Sequence, residues 1–159
     1  MTQFGEIRAS PHVFGEPRKR SLLPLAVVGL LVLASVGFAI GLDVGLSLGW
    51  TLLTLGIAIV AGLIGAGLVP TIGSLWLVGL WWFVFPPLVG YVTDSWAGTT
   101  RYNHRRMLGY GYRSARAELF GGIEYGVQFG LPFAIVLGVI GYAIGIAIGR
   151  LSAQANTSR

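Results

Sequence analysis

The chain has 159 residues, of which 54% are hydrophobic and only 11% are charged, and its formal net charge is +5. A soluble domain carries about 25% charged residues, so this composition, with a mean hydropathy of +0.74, places the chain in the membrane class. Cysteine is absent, which excludes disulfides, thiolate chemistry, iron–sulfur clusters and thiolate zinc sites. Both histidines, His12 and His104, lie outside the apolar runs, so we predict no haem or other cofactor.

The first twenty residues are polar and end in the basic cluster Arg18–Arg20. We interpret 1–20 as a flexible basic tail and 22–42 as the first membrane span, with Ser21 as its N-cap. A cleaved signal peptide is the alternative for this segment. The apolar stretch is longer than the 7–15 residues typical of a signal peptide, so a retained span is favoured.

Between Arg20 and Thr93 the only charged side chain is Asp43. The uncharged run 44–92 is too long for one crossing at about 1.5 Å per residue. Glycine and proline between Gly65 and Gly73 favour a turn there, so the second and third spans are predicted at 46–68 and 72–92. Pro86 and Pro87 are expected to kink or end the third helix.

A polar connection, 93–122, leads to the fourth predicted span at 125–149, and 150–159 forms a C-terminal tail. The predicted fold is therefore an all-α integral membrane protein, a compact bundle of four transmembrane helices within 21–149. An Arg-rich interfacial segment lies between helices 3 and 4. Four crossings divide the basic residues almost equally between the two sides of the membrane. Three crossings with one re-entrant segment satisfy the positive-inside rule better, but this small chain has little protein to bury such a segment. We favour four crossings with cytoplasmic termini.

Glycine is the second signal in the sequence, with 25 residues in 159. Small residues that recur every fourth position clear one face of a membrane helix, so that a neighbouring backbone can approach closely. The fourth span carries two such series. We predict helix packing there, within the bundle or between copies, by Gly126, Gly130, Ala134, Gly138, Gly141 and Gly145.

The connection before the fourth span has an apolar stripe at helical spacing that runs from Leu108 to Leu119. An amphipathic helix in the headgroup layer fits this pattern, because arginine pairs with lipid phosphate there. Nucleic acid is a less favoured partner for the same side chains. Glu118 and Glu124 are expected to pair with neighbouring arginines. The candidate contacts to lipid or another anionic partner are Arg101, Arg105, Arg106, Arg113 and Arg116.

No nucleophile–base pair or metal-ligand set stands out, so the chain is not predicted to be an enzyme. The favoured hypothesis is a structural or accessory protein of a membrane assembly or envelope, located in a plasma membrane or viral envelope. Its layout resembles that of small four-span accessory proteins. The expected partners are the bilayer with its anionic headgroups, and either further copies or other subunits of a larger assembly. The alternative is an oligomeric channel or carrier for a small neutral solute, with sparse polar lining from Ser47, Thr51, Thr54 and Gln128.

Overall fold

The structure is a computed structural model that describes residues 11–42, 48–95 and 114–157. All regular elements within these ranges are helical. The elements are α1 (Pro11–Phe14), α2 (Pro17–Ala39), α3 (Leu48–Ile64), α4 (Leu68–Val92), α5 (Ala115–Tyr125), the π-helical segment (Gly126–Gly130) and α6 (Leu131–Thr157). Helix α1 is a single turn before the long helices, and α5, the π-helical segment and α6 follow one another without a break.

Contacts between helices give an up-down-up-down bundle. The rings of Phe38 and Phe85 meet near the ends of α2 and α4, so these two helices are parallel. Helix α3 ends at Ile64, just before α4 begins, and Trp50 at the start of α3 contacts Trp81 at the middle of α4, so α3 runs in the opposite direction. We call the end that carries the α3–α4 turn, 65–67, the turn end. The opposite end, where α4 stops and α5 begins, is the loop end.

The prediction of an all-α protein is confirmed, and the helices extend differently from the apolar runs. Three stretches are long and apolar enough to cross a membrane: Pro17–Ala39, Leu68–Val92 and Ala115–Asn156. Helix α2 begins five residues before the predicted span, because Pro17 occupies its first turn and its fixed φ suits that position. Ser21, the expected N-cap, therefore lies inside α2. Helix α3 is apolar and shorter, with 17 residues.

Helix α4 runs through Pro86 and Pro87, where the sequence favoured a kink or an end. Pro87 has no N–H to donate to the carbonyl of Phe83, four residues earlier. This oxygen lies against Gly122 of α5, in the place that a β-carbon of residue 122 would occupy. A neighbouring helix can compensate a carbonyl released by proline. The close approach of α5 thus accompanies the continuation of α4.

The segment before α2 packs on the turn between α3 and α4. Gly65 and Gly67 have φ values of +69° and +96°, and Gly15 has a φ of +68°, which are backbone conformations that glycine adopts readily. A β-carbon on Gly67 would lie 2.5 Å from the backbone N of Gly15. Part of the predicted tail is therefore ordered against the turn end, whereas 1–10 lie outside the described residues.

Small side chains fill the interior, and large apolar side chains cover the outside. Ala58 and Ala61 are completely buried, whereas Leu33 and Ile40 are 71% and 74% exposed. A soluble protein buries such leucines and isoleucines in its core. An apolar exterior around a small-residue interior is typical of helices surrounded by lipid, because lipid tails are as apolar as leucine.

Candidate functional site

The small residues predicted on the fourth span all lie on the buried side of the π-helical segment and α6. The first part of this line faces α4. A β-carbon at Gly126 would lie 2.8 Å from Cδ2 of Leu80, and one at Gly138 would lie 2.9 Å from Cγ1 of Ile72. Ala134, between them, is 1% exposed. The line therefore brings α4 against the rod that α5 and α6 form.

The second part of the line faces α3, and here the two backbones touch. A β-carbon at Gly141 would lie 2.5 Å from Cβ of Ala58. At Gly145 it would overlap the carbonyl oxygen of Ile59 and lie 2.9 Å from the Cα of Gly62. Gly62 was not predicted from the sequence, although its spacing of four residues from Ala58 on the same helix is the signal that could have revealed it. Helices α3 and α6 run parallel, and their backbones come closest where Gly62 meets Gly145.

Glycine at 122 extends the same face by one turn toward the loop end. A β-carbon there would overlap the carbonyl oxygen of Phe83. Gly122 was not predicted as a packing residue, because the predicted fourth span begins only at residue 125. Its spacing of four residues from Gly126 is the signal that could have revealed it.

The π-helical segment interrupts the regular α-helical hydrogen-bond pattern of the rod at Gly126–Gly130. Such segments alter which carbonyls are bonded within the helix. Nε1 of Trp76 donates a hydrogen bond of 3.0 Å to the carbonyl oxygen of Gly126. Further along α4, Nε1 of Trp81 donates to Oγ of Ser35 on α2 over 2.8 Å. Tryptophans of α4 thus connect it to helices on both sides.

A cavity of about 320 Å³ lies between α3, α4 and the beginning of α6. It lies nearer to the loop end than the close contact between Gly62 and Gly145 does. Its wall is almost entirely apolar, with large aromatic side chains from all three elements. The lining residues are Trp50, Thr51, Thr54, Leu75, Val78, Gly79, Trp82, Phe83, Phe129, Gly130, Phe133, Ala134 and Leu137.

Few polar atoms face this cavity. Oγ1 of Thr54 donates a hydrogen bond of 2.9 Å to the carbonyl oxygen of Thr51, so its proton is already used within α3. Nε1 of Trp82 is buried and has no hydrogen-bond partner among the described residues. Gln128 is not among the lining residues, and Ser47 lies outside the described part of the chain. Water is poorly held in such a space, because it needs several polar partners.

A stripe of polar and aromatic residues runs along the outside of α5 and the π-helical segment. We call Arg116, Phe120, Glu124 and Gln128 the polar stripe; its members are four residues apart and exposed. The guanidinium carbon of Arg116 lies 5.7 Å from the ring centroid of Phe120, within cation–π range. Nε2 of Gln128 donates a hydrogen bond of 3.0 Å to Oε1 of Glu124.

The Glu124–Gln128 pair lies at the mid-height of α4. Gly126, between the two residues, packs on Leu80, and Leu80 is the middle residue of Leu68–Val92. Large apolar side chains are exposed toward both ends of the bundle, including Val69 at 48% and Val92 at 73%. The exposed carboxylate therefore lies within an otherwise apolar band.

Glu118 and Glu124, which were both predicted to pair with nearby arginines, differ in burial. Glu118 is 0% exposed, in the first turn of α5, where the helix dipole favours a negative charge. Oγ of Ser114 caps this turn by accepting from the N–H of Ala117 over 3.2 Å. Arg101, Arg105, Arg106 and Arg113 lie outside the described residues, so their predicted contact with headgroups stays a prediction.

Comparison with known proteins finds no family, no curated relative and no solved structure that matches this chain. Among the residues that the structure describes, no group of three or more His, Cys, Asp or Glu side chains is placed to hold a metal ion. The distinguishing features are therefore the glycine-lined helix contacts, the apolar cavity and the polar stripe.

Proposed function

We propose that this chain is a non-enzymatic, multi-pass integral membrane protein with a structural or accessory role in a membrane assembly, in a plasma membrane or viral envelope. Its helices cross the membrane four times and both termini lie on one side. The glycine-lined contacts hold the bundle together from within. The Arg-rich segment between α4 and α5 binds anionic headgroups at the loop end.

The position of α3 supports a fourth crossing, although α3 is the shortest of the long helices. Its 17 residues span about 26 Å at 1.5 Å per residue, against about 30 Å of hydrocarbon. Gly62, near its end, touches Gly145 of α6, and Trp50, near its start, contacts Trp81 at the middle of α4. Helix α3 thus runs alongside α6 and alongside the half of α4 nearer the turn end, and both of those helices are long enough to cross.

The polar stripe carries the proposal of an assembly. A charged side chain at the centre of a membrane helix costs about 2.5–3.5 kcal/mol on insertion scales, and Glu124 is exposed at the mid-height of α4. Contact with a neighbouring helix offsets part of this cost, because polar side chains hydrogen-bond between helices in lipid. A second copy of the chain fits, since Glu124 supplies an acceptor and Gln128 supplies both donors and an acceptor.

Disulfide crosslinking in the cysteine-free chain tests this assembly. Val127→Cys places a thiol beside the polar stripe, and Val36→Cys places one on the exposed face of α2 as the matched control. In native membranes we expect oxidation to give a dimer from the first variant only. Replacing both Glu124 and Gln128 by leucine should reduce that dimer at least severalfold. Equal crosslinking of both thiols, or a dimer that survives the leucine replacements, would contradict a contact through the stripe.

The alternative function is passage of a small neutral solute. It is favoured by the position of Thr51 and Thr54 on the wall of an internal cavity. A channel requires a polar path, so Thr54→Leu should abolish solute flux into vesicles, while helix assembly persists. A structural protein tolerates the same replacement without a change in assembly.

A further inference from the structure

We infer that the cavity between α3, α4 and α6 binds one acyl chain of a membrane phospholipid, which enters from the side of the bundle past Phe129 and Phe133. This inference rests on the proposed membrane crossing, and it adds a lipid-binding site to the proposed structural role. Three observations carry it: the chemistry of the cavity wall, its size and the position of its mouth.

The wall accepts hydrocarbon and offers little to a polar ligand. Aromatic and aliphatic side chains form nearly all of it, and the Thr54 hydroxyl donates to the backbone of its own helix. No side chain with a formal charge is among its lining residues. A headgroup or a sugar would lose its hydrogen bonds with water there and gain almost none in return. A saturated chain has no such groups to satisfy.

The size suits part of a single chain. An apolar cavity of about 150 Å³ accommodates a molecule of the size of benzene, and this cavity, at about 320 Å³, has roughly twice that volume. It is at the lower end of the range for small-molecule pockets, about 300–1,000 Å³. A segment of one acyl chain fits this space, with the rest of the lipid remaining outside.

The mouth lies where acyl chains are. Phe129 and Phe133 line the cavity and are 45% and 50% exposed, so the cavity reaches the outer surface beside them. Gly130, between them, lies next to Gly79 of α4, close to the middle of that helix. For a bundle that spans the bilayer, the medium at this height is the hydrocarbon of the lipids.

Binding would come from packing and not from the hydrophobic effect. Leaving the bilayer core gives a chain no transfer free energy, because lipid tails are as apolar as the cavity wall. The wall atoms, however, lack dispersion partners across an unfilled space. A chain that fills the space restores those contacts along most of its surface. A side chain that reduces the free volume of the cavity should therefore strongly reduce its occupancy by an acyl chain.

Photolabelling in vesicles tests the inference. The chain is reconstituted in phosphatidylcholine that contains a small fraction of phosphatidylcholine with a mid-chain diazirine, and labelled residues are located by mass spectrometry. We expect labelling of the cavity wall at Thr54, Phe129 and Phe133 at least severalfold above that of Leu33 and Val36. Those two residues are exposed on α2 and report ordinary contact with bulk lipid.

Filling the cavity supplies the matched comparison. Gly79→Leu adds a side chain at the wall, where a β-carbon has room, with its nearest neighbour, Cα of Gly130, at 3.4 Å. Gly73→Leu adds the same atoms on the same helix, where nothing lies within 4 Å. We expect the first variant to lose the excess labelling and the second to keep it. Thr51→Phe fills the cavity from α3 instead and should repeat the loss.

The outcomes separate this inference from the proposed function. Labelling of α2 with no excess at the cavity, or an excess that both filling variants retain, would overturn the lipid site and leave the membrane crossing intact. Absence of labelling on both surfaces would contradict the crossing itself. A diazirine-bearing free fatty acid is the second probe. Excess labelling by the fatty acid and none by the phospholipid would also overturn the inference, because the occupant would then be a free fatty acid.

Discussion

The substitutions Gly145→Ala and Gly149→Ala each add one β-carbon, at positions one helical turn apart in α6. The new β-carbon at 145 would overlap the carbonyl oxygen of Ile59 and lie 2.8 Å from the backbone N of Leu63. At 149 its nearest neighbour would be Cδ2 of Leu63 at 3.9 Å, an ordinary contact. We therefore expect Gly145→Ala to destabilise the bundle and Gly149→Ala to leave it intact or stabilise it.

The magnitude follows from two opposing effects. Alanine is favoured over glycine in a helix interior by about 1 kcal/mol, and this gain applies to both variants, so it cancels when they are compared. Overpacking of a well-packed contact costs about 1–3 kcal/mol. A β-carbon at 145 lies 2.9 Å from the Cα of Gly62, where ordinary contact begins at 3.4 Å, so the two backbones must separate. The free energy of unfolding should therefore differ by about 1–3 kcal/mol between the variants.

Reversible unfolding by SDS in mixed micelles, followed by circular dichroism, measures this difference. Gly62→Ala, on the other side of the contact, should resemble Gly145→Ala, because its β-carbon would overlap the carbonyl oxygen of Tyr142. Equal unfolding free energies for the 145 and 149 variants would refute the close contact between α3 and α6.

Other substitutions test individual hydrogen bonds. Trp76→Phe should lower the unfolding free energy by about 0.5–1.5 kcal/mol, since it removes the donor to Gly126. Trp82→Phe should lower the unfolding free energy less than Trp76→Phe does, or raise it, because Nε1 of Trp82 is buried without a partner in the described ranges. The same unfolding assay compares the two variants. An equal loss of unfolding free energy would contradict the difference between the two indole environments. Ser114→Ala removes the cap of α5 and should weaken its first turn by about 0.5–2 kcal/mol, seen as faster amide exchange near Ala117, whereas Ser114→Thr should retain protection.

Composition predicted the helices well, and their ends poorly. An apolar run marks which residues can face hydrocarbon, whereas a helix continues as long as its backbone hydrogen bonds do. Helix α5 begins at Ala115, ten residues before the predicted fourth span, since Ser114 caps a polar first turn. Pro86 and Pro87 were expected to disrupt α4, and the compensating neighbour, Gly122, comes from a distant part of the chain.

The candidate sites depend on the burial of single side chains and on contacts between distant helices, which the sequence does not show directly. Glu118 and Glu124 are six residues apart and look equivalent in the sequence. At 3.6 residues per turn they occupy different faces of one helix, so the first is buried and the second exposed. The cavity is lined by residues between Trp50 and Leu137 that come from distant parts of the chain, and no local sequence pattern predicts it. The four-residue glycine spacing is local and was therefore visible in the sequence.

The sidedness of the two ends of the bundle tests the central proposal of four crossings most directly. Single cysteines at Ser95 and Ser114 report the loop end, and a cysteine at Ser152 reports the turn end; all three positions are exposed. A membrane-impermeant thiol reagent is applied to intact cells or vesicles and again after permeabilisation. Four crossings predict that the two loop-end cysteines react together and that Ser152→Cys reacts only under the opposite condition. Reaction of all three from the same side would contradict the account.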